Sequence, residues 1–374
     1  MESSRDKILF TKRNLQFVNK VIETLSLSLK NLTVITECAS GPFAYTPVAA
    51  LLAGANVISL GRDTRYGKYE ENKKNLEEII SLADPALLSK IQFTDVKESI
   101  RFNEIDIFTN SGLIRPITKE IIDTLKPTCV IPLMWETWEF RESDLDIIAC
   151  QQNNIPVIGT NEYFPPTDMT LTIGLFGVKI LFDMKIPVAN CRVVLIGGKI
   201  PANQIAQLYE KMGIDFTWFS PSGKEREKNC YPYSQLKKIK ELKHIDAFVC
   251  AEHTDPFLIA GKNGGITFEE IYEAHPLAWW GHIVGNVDAE DLKNSGLSYY
   301  PEIIMPFGHQ TYGTENLGFA PVIQLNMCGL KVGEIAAKER LKGSSIEVTI
   351  KKTLEYGIGQ DFEGGFLQFK PKKS

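Results

Sequence analysis

Arg141-Glu-Ser-Asp-Leu-Asp-Ile-Ile-Ala-Cys-Gln-Gln-Asn-Asn-Ile-Pro-Val-Ile-Gly159, with the run that continues to Lys179-Ile-Leu-Phe-Asp-Met184, decides the fold. A short helix feeds an apolar strand, and a loop leads into a long apolar helix. A second strand, Cys191-Arg-Val-Val-Leu-Ile-Gly-Gly198, follows and opens into another helix. This is the joint between two nucleotide-fold halves. The expected fold class is α/β, with two Rossmann-like doubly wound parallel-sheet domains and a ligand cleft between them.

Toward the N-terminus, Leu15, Val18, Val21, Ile22 and Leu25 recur at helical spacing and predict an amphipathic opening helix. Residues 32–37 read as strand, 39–42 as turn, 46–53 as apolar helix and 55–60 as strand, a β-α-β unit with a right-handed connection. Strands at 105–109, 128–133 and 155–158 alternate with helices at 118–125 and 143–151. Toward the C-terminus the same alternation returns. Strands are expected at 192–196, 215–219, 247–250, 278–284 and 297–300, and helices at 202–212, 233–242 and 268–274. A long helical pattern over 319–341 is expected to cross back to the first half. The domain expectation is therefore 1–170 plus 320–374 for an outer, substrate-binding domain and 171–319 for a nucleotide-binding one.

Two domains are also what 374 residues suggest. Apolar residues at 44% and charged residues at 23% describe an ordinary soluble globular chain. A net charge of -5 offers no electrostatic footprint for nucleic acid or an anionic membrane. The seven cysteines are scattered without a C-x-x-C pair, which argues against a thiolate metal site and for a reducing, cytoplasmic location. The N-terminus lacks the apolar core of a signal peptide, and the apolar stretch 46–60 is interrupted by Pro47, Gly54, Asn56 and Ser59. No metal is expected.

Five polar loops follow the strands of the first half, and strand C-termini share one rim. They supply Glu37, then Arg62 and Arg65, then Asn110, then Trp135, Glu136, Trp138 and Arg141, then Asn161 and Glu162 as substrate-binding candidates. The arginines are suited to clamp an anion and the tryptophans to stack on a flat ring, or to pack as a lid or dimer contact. In the second half the turn Gly197-Gly198-Lys199-Ile200-Pro201-Ala202 follows a strand and opens a helix. Glycines there let a backbone approach a pyrophosphate at the helix N-terminus. Lys199 stands where the second glycine of G-x-G-x-x-G belongs. Either Gly198 takes that task and Lys199 adds charge, or the turn is structural and holds no cofactor. The next strand ends without the acid that bonds a ribose hydroxyl. Ser220, Ser222, Lys224 and Arg226 favour a 2′-phosphate instead, so NADP is expected ahead of NAD, unless this is a solvated polar loop. His253 follows another strand C-terminus and is expected on the same rim, while His244 and His275 read as surface helix residues.

This order of elements resembles the D-isomer-specific 2-hydroxyacid dehydrogenases and their relatives, formate dehydrogenase and adenosylhomocysteine hydrolase. The stretch from Asp144 to Val157 is similar to their domain-crossing segment, Val287-Asp-Ala-Glu-Asp-Leu292 to their "VD--aL" segment, and Met305-Pro-Phe-Gly-His309 to the segment that carries their catalytic histidine. The resemblance implies a flavodoxin-like outer domain interrupted by a nucleotide domain, and a homodimer. It implies His309 as the acid/base, with Glu302 the nearest upstream carboxylate, and His282 beside the position of the family's substrate arginine, which here is Ile283; His282 either substitutes for that cation or is a core histidine bonded to backbone.

The function expected is an NAD(P)-dependent oxidoreductase acting on a small polar or anionic hydroxy or carbonyl compound. Two rivals stand beside it: an adenosylmethionine-dependent methyltransferase or nucleoside-processing enzyme that uses the first half, and a catalytically silent binding protein that kept the fold.

Overall fold

The computed structural model describes residues 4–64 and 67–371. In chain order it runs through α1 (Ser4–Leu25), β1 (Thr33–Glu37), α2 (Tyr45–Leu52), β2 (Asn56–Leu60), α3 (Tyr69–Ala83), β3 (Ile91–Thr94), β4 (Ile107–Phe108), α4 (Lys119–Ile122), β5 (Ile131–Pro132), α5 (Ile147–Gln152) and β6 (Val157–Thr160). It continues with α6 (Thr170–Asp183), β7 (Arg192–Ile196), α7 (Ala202–Met212), β8 (Asp215–Ser220), β9 (Cys230–Pro232), β10 (Ala247–Ala251), α8 (Phe268–Ala274), β11 (Trp279–Val284), α9 (Ala289–Asn294) and β12 (Ser298–Tyr300). It closes with α10 (Ala320–Leu341), α11 (Ile346–Tyr356) and β13 (Gly359–Gln360). Residues up to 168 and from 319 onward form one compact unit, and residues 169–318 form a second.

In the first unit β3-β2-β1-β4 form one parallel sheet and β13-β6-β5 another, linked by a parallel bridge between Ile107 and Val130. The sequential order is thus 3-2-1-4-5-6, with β13 antiparallel on the far edge. The flavodoxin-like order implied by the resemblance is 2-1-3-4-5. Here β3 extends it by one parallel strand beyond β2. Strands β1 (TVITE) and β2 (NVISL) are rich in β-branched residues and buried on both faces, as a sheet covered by helices requires. Helix α10 lies very close to this sheet. A Cβ on Gly329 would come within 2.6 Å of the Met134 sulfur, and one on Gly333 within 2.8 Å of Ile107.

The second unit is a single six-stranded parallel sheet, β12-β11-β10-β7-β8-β9. Counted from β7, this is again the 3-2-1-4-5-6 order. One apolar cluster on α6, α7 and the strands includes Ile180, Leu195, Tyr209 and Phe216, and another includes Phe248, Phe268 and Trp280.

Several local expectations change. The strand and helix patterns leave 61–104 unassigned, yet this stretch holds α3 and β3. In α3, charged Glu70, Glu71, Lys73 and Lys74 surround a buried stripe of Leu76, Ile79 and Ile80. Residues 233–241 form a 3-10 run broken at Gln235 rather than an α-helix. His275, expected at a surface, is buried with Nε2 2.8 Å from the Ile239 carbonyl, while His244 lies in an exposed loop at φ 57°. Helix α5 starts at Ile147, later than expected, because the Asp146 carboxylate caps it by accepting the Ala149 N–H at 2.9 Å. Among the described residues no helix is long and apolar enough to cross a membrane, and no group of three His, Cys, Asp or Glu side chains is placed to hold a metal ion.

Candidate functional sites

A doubly wound sheet opens at its switch point, where connections leave in opposite directions. In the first unit that point lies between β1 and β4, and Glu37 ends β1 there. The residue is 5% exposed. Its carboxylate accepts the Leu113 N–H on Oε2 at 3.1 Å. Burial pushes its pKa up to about 6, against the opposing pull of that N–H and of the Arg115 charge. Asn110, buried, follows the facing strand and accepts the Arg115 Nε–H on Oδ1 at 3.1 Å. Arg115 pairs with Asp144 at 2.8 Å and lies 4.1 Å from the Trp135 ring centroid. Arg115 sits in the same loop as Asn110, and its cation is what sequence reasoning overlooked.

The rest of the rim divides. Glu136 is buried and accepts from Trp138 Nε1 at 2.6 Å and Gln360 Nε2 at 3.2 Å. Burial and the Glu136 charge raise Glu139 to about 7, and burial with the charges of Glu139 and Glu136 raises Glu162 well above the usual carboxylate range. These acids share one electrostatic neighbourhood, of which sequence reasoning named Glu136 and Glu162 but not Glu139. Asn161 ties its loop to the end of α11, donating to the Gly357 carbonyl at 2.8 Å and accepting the Tyr163 N–H at 3.0 Å. Trp138 and Arg141 are exposed at their loop. Arg62 is also exposed, close enough to Lys97 to add to the lowering of its pKa that burial begins. Arg65 lies outside the described residues. Asp63 caps α3, accepting the Tyr69 N–H at 2.9 Å.

In the second unit the switch point lies between β7 and β10, at the glycine turn. There the Gly198 N–H donates to Glu252 Oε2 at 2.7 Å, and the Tyr233 hydroxyl donates to the same oxygen at 2.6 Å. Glu252 Oε1 accepts the Thr254 N–H at 2.8 Å, the Thr254 hydroxyl at 3.1 Å and the Asp255 N–H at 2.9 Å. Glu252 is fully buried. Sequence reasoning chose its neighbour His253, which is half-buried. A Cβ on Gly197 would meet the Ala251 carbonyl at 2.2 Å and Ala202 Cβ at 2.7 Å. Lys199 is exposed.

The loop after β8 is also internally occupied. The Ser220 hydroxyl donates to Glu225, Ser222 does so at 2.8 Å, and the Lys224 N–H at 2.9 Å. Arg226 turns away to Glu210 at 3.3 Å and onto the Phe216 ring. His309 is exposed in a turn, its N–H donating to the Pro306 carbonyl at 3.1 Å, and Glu302 is exposed just after β12. Of the two readings of His282, its place matches the core histidine and not the substitute for the missing cation. It lies inside β11, fully buried, where burial holds its pKa down to about 3 and Trp280 Nε1 donates to Nδ1 at 3.5 Å. A ring sealed and neutral at that place exchanges no proton with a substrate.

No family model matches the chain, and no curated protein matches it. Solved structures do. A dipicolinate synthase chain from Bacillus subtilis superposes at TM-score 0.53 with 14% identity, over 84% of this chain and 100% of that one. Its counterpart from Bacillus halodurans gives 0.50 and 11%, over 83% and 98%. The chain has a tandem Rossmann fold. A 2-hydroxyacid dehydrogenase from Ketogulonicigenium vulgare is a looser match, with TM-score 0.44 and 12% identity over 77% of this chain and 95% of that one. At these identities the tandem Rossmann fold is what is shared, and function has to come from the side chains.

Proposed function

We propose that this chain is an enzyme that moves a proton on a small polar substrate at the carboxyl rim of its first unit, with Glu37 as the acid/base. The observation that carries this reading is the place of Glu37: a nearly buried carboxyl at a switch point, beside Asn110 and the cation of Arg115. A carboxyl that titrates near neutrality is matched to proton transfer in either direction. The Arg115 guanidinium, paired with Asp144, bonded to Asn110 and stacked on Trp135, is a fixed donor group beside that carboxyl, suited to orient a polar substrate. The test has two steps. A panel of small hydroxy, keto and amino acids and nucleosides is screened by the rise in melting temperature. Each ligand found is then followed by NMR in D2O for protein-dependent exchange of a carbon-bound proton. Glu37→Gln should keep binding and lose exchange by a factor of about a hundred, the usual worth of a positioned acid/base being roughly 10²–10⁴. Undiminished exchange in that variant removes Glu37 from the role.

The tandem Rossmann fold itself favours a second reading: an NAD(P)-dependent oxidoreductase of the 2-hydroxyacid dehydrogenase type, with His309 as acid/base, NADP ahead of NAD, and a homodimeric assembly. Its support is the 3-2-1-4-5-6 order of the second unit and the glycine turn at its switch point. The residues at that turn and in the loop after β8 do not fit a dinucleotide, because Glu252 at the one and Glu225 in the other already take the hydrogen bonds a phosphate needs. Turnover of NADPH with any small keto acid, lost in His309→Ala, would favour this second reading over the first.

A further inference from the structure

We infer that Glu252 is a built-in substitute for a diphosphate, so that the β7–α7 turn of the second unit is a closed structural joint and takes no nicotinamide dinucleotide. The charge argument comes first. A fully buried carboxylate receives the Gly198 N–H, an amide of the glycine turn at the head of α7. A diphosphate arriving there would have to share that donor with a like charge. Space argues the same way. The value of a glycine in such a turn is the room left by its missing Cβ, through which the ligand approaches. At Gly198 that room is taken: a Cβ would lie 2.8 Å from Pro221 Cδ and 3.1 Å from Glu252 Oε2. The donors agree as well. Pro201, at the start of α7, has no N–H to offer.

Glu252 is also held from behind. Its own loop grips Oε1 through Thr254 and Asp255, and Tyr233 grips Oε2 while stacking on Phe257 at 5.4 Å. Parallel pairing of β10 with β7, Cys250 opposite Ile196, brings Glu252 level with the turn, and a bridge between Pro201 and Glu252 closes the two loops together. The ribose end repeats the arrangement. Ser220, Ser222 and the Lys224 N–H converge on Glu225, where a 2′-phosphate would need them. Two separate carboxylates thus stand at the two anionic positions of an NADP.

Trp218 gives the turn its own reporter, since its Nε1 donates to the Gly197 carbonyl at 2.8 Å. The full chain is titrated with NADPH and NADH to millimolar concentration, followed by tryptophan emission and by calorimetry. No saturable signal is expected. A saturable signal that Lys199→Glu abolishes would overturn the inference, whereas one that Lys199→Glu leaves intact places the dinucleotide elsewhere and upholds the closed turn. Glu252→Ala provides the complementary arm. Its melting temperature should fall by several degrees and recover at least half of that loss in acetate or inorganic phosphate, but not in chloride of equal ionic strength, while the native chain responds to none of them. A folded Glu252→Ala chain that neither anion restores would show that the cradle does not recognise an anion, and the substitution idea would fail.

Discussion

Glu37 and Glu252 are both glutamates at the C-terminal end of a strand, both buried, and they differ in the donors they receive. Glu37 loses its hydration and gains one N–H, so its protonated form is favoured. Its folded pKa of about 6 lies above the ordinary 4.5, so the native state binds the extra proton. The stabilisation is present below pH 4.5 and is lost as pH rises through 6, on the order of 2 kcal/mol at about 1.4 kcal/mol per unit. Glu37→Gln should therefore be more stable than the native chain at pH 7.5 and lose that advantage by pH 4.5, read from denaturant midpoints at both values. His282 acts in the reverse sense. Its pKa falls from 6.5 to about 3, so the unfolded chain takes up the proton first and stability drops as pH falls below 6.5. His282→Leu should flatten that acid slope, measured the same way. Glu252 has five donors around it, and Glu252→Ala should cost on the order of 3 kcal/mol by leaving several of them unpaired in the interior. At this scale the sequence showed which residue types sit at strand ends, and it offered Glu37 as a substrate-binding candidate, not as an acid/base. It missed Glu252 because the partner of that carboxylate, Gly198, is 54 positions away. It also missed Glu225, although Ser220 is only five positions distant, because a carboxylate inside a charge run looks solvated until the hydroxyls beside it are seen to turn toward it.

The elements were legible where one physical rule dominated. Strands β1, β2, β7 and β10 are short apolar runs buried on both faces, a pattern that covered parallel sheets impose. Helix α10 was legible for a different reason, a long helical spacing of apolar residues whose one proline, Pro321, stands in its first turn. What the pattern did not reveal is how near α10 comes to the sheet. Gly329 faces the Met134 sulfur and backbone with no room for a methyl group. Gly329→Val should destabilise the first unit by about 2–3 kcal/mol through overpacking, a loss that shows as a lower denaturant midpoint with unchanged slope. Helix α3 escaped notice because its charged surface outnumbers its buried stripe, and the 3-10 run at 233–241 because i, i+3 and i, i+4 spacings look alike over so few residues.

For the whole molecule, each unit has its own sheet and its own apolar core, and residues 169–318 are one uninterrupted stretch of chain. That stretch should fold alone, giving a cooperative melt and a near-ultraviolet dichroism signal from Trp218 and Trp280 when expressed by itself. A non-cooperative product would mean that its stability depends on the first unit. The amino-acid sequence by itself determined that this is an α/β protein of two doubly wound halves, because the alternation of strand and helix is written locally, in runs a few residues long. Whether a glycine turn admits a phosphate was decided only in three dimensions. The room at Gly198 is filled by Pro221 and Glu252, which are distant along the chain and adjacent only once parallel strands are paired, so the same turn sequence is compatible with an open nucleotide site and with a closed one.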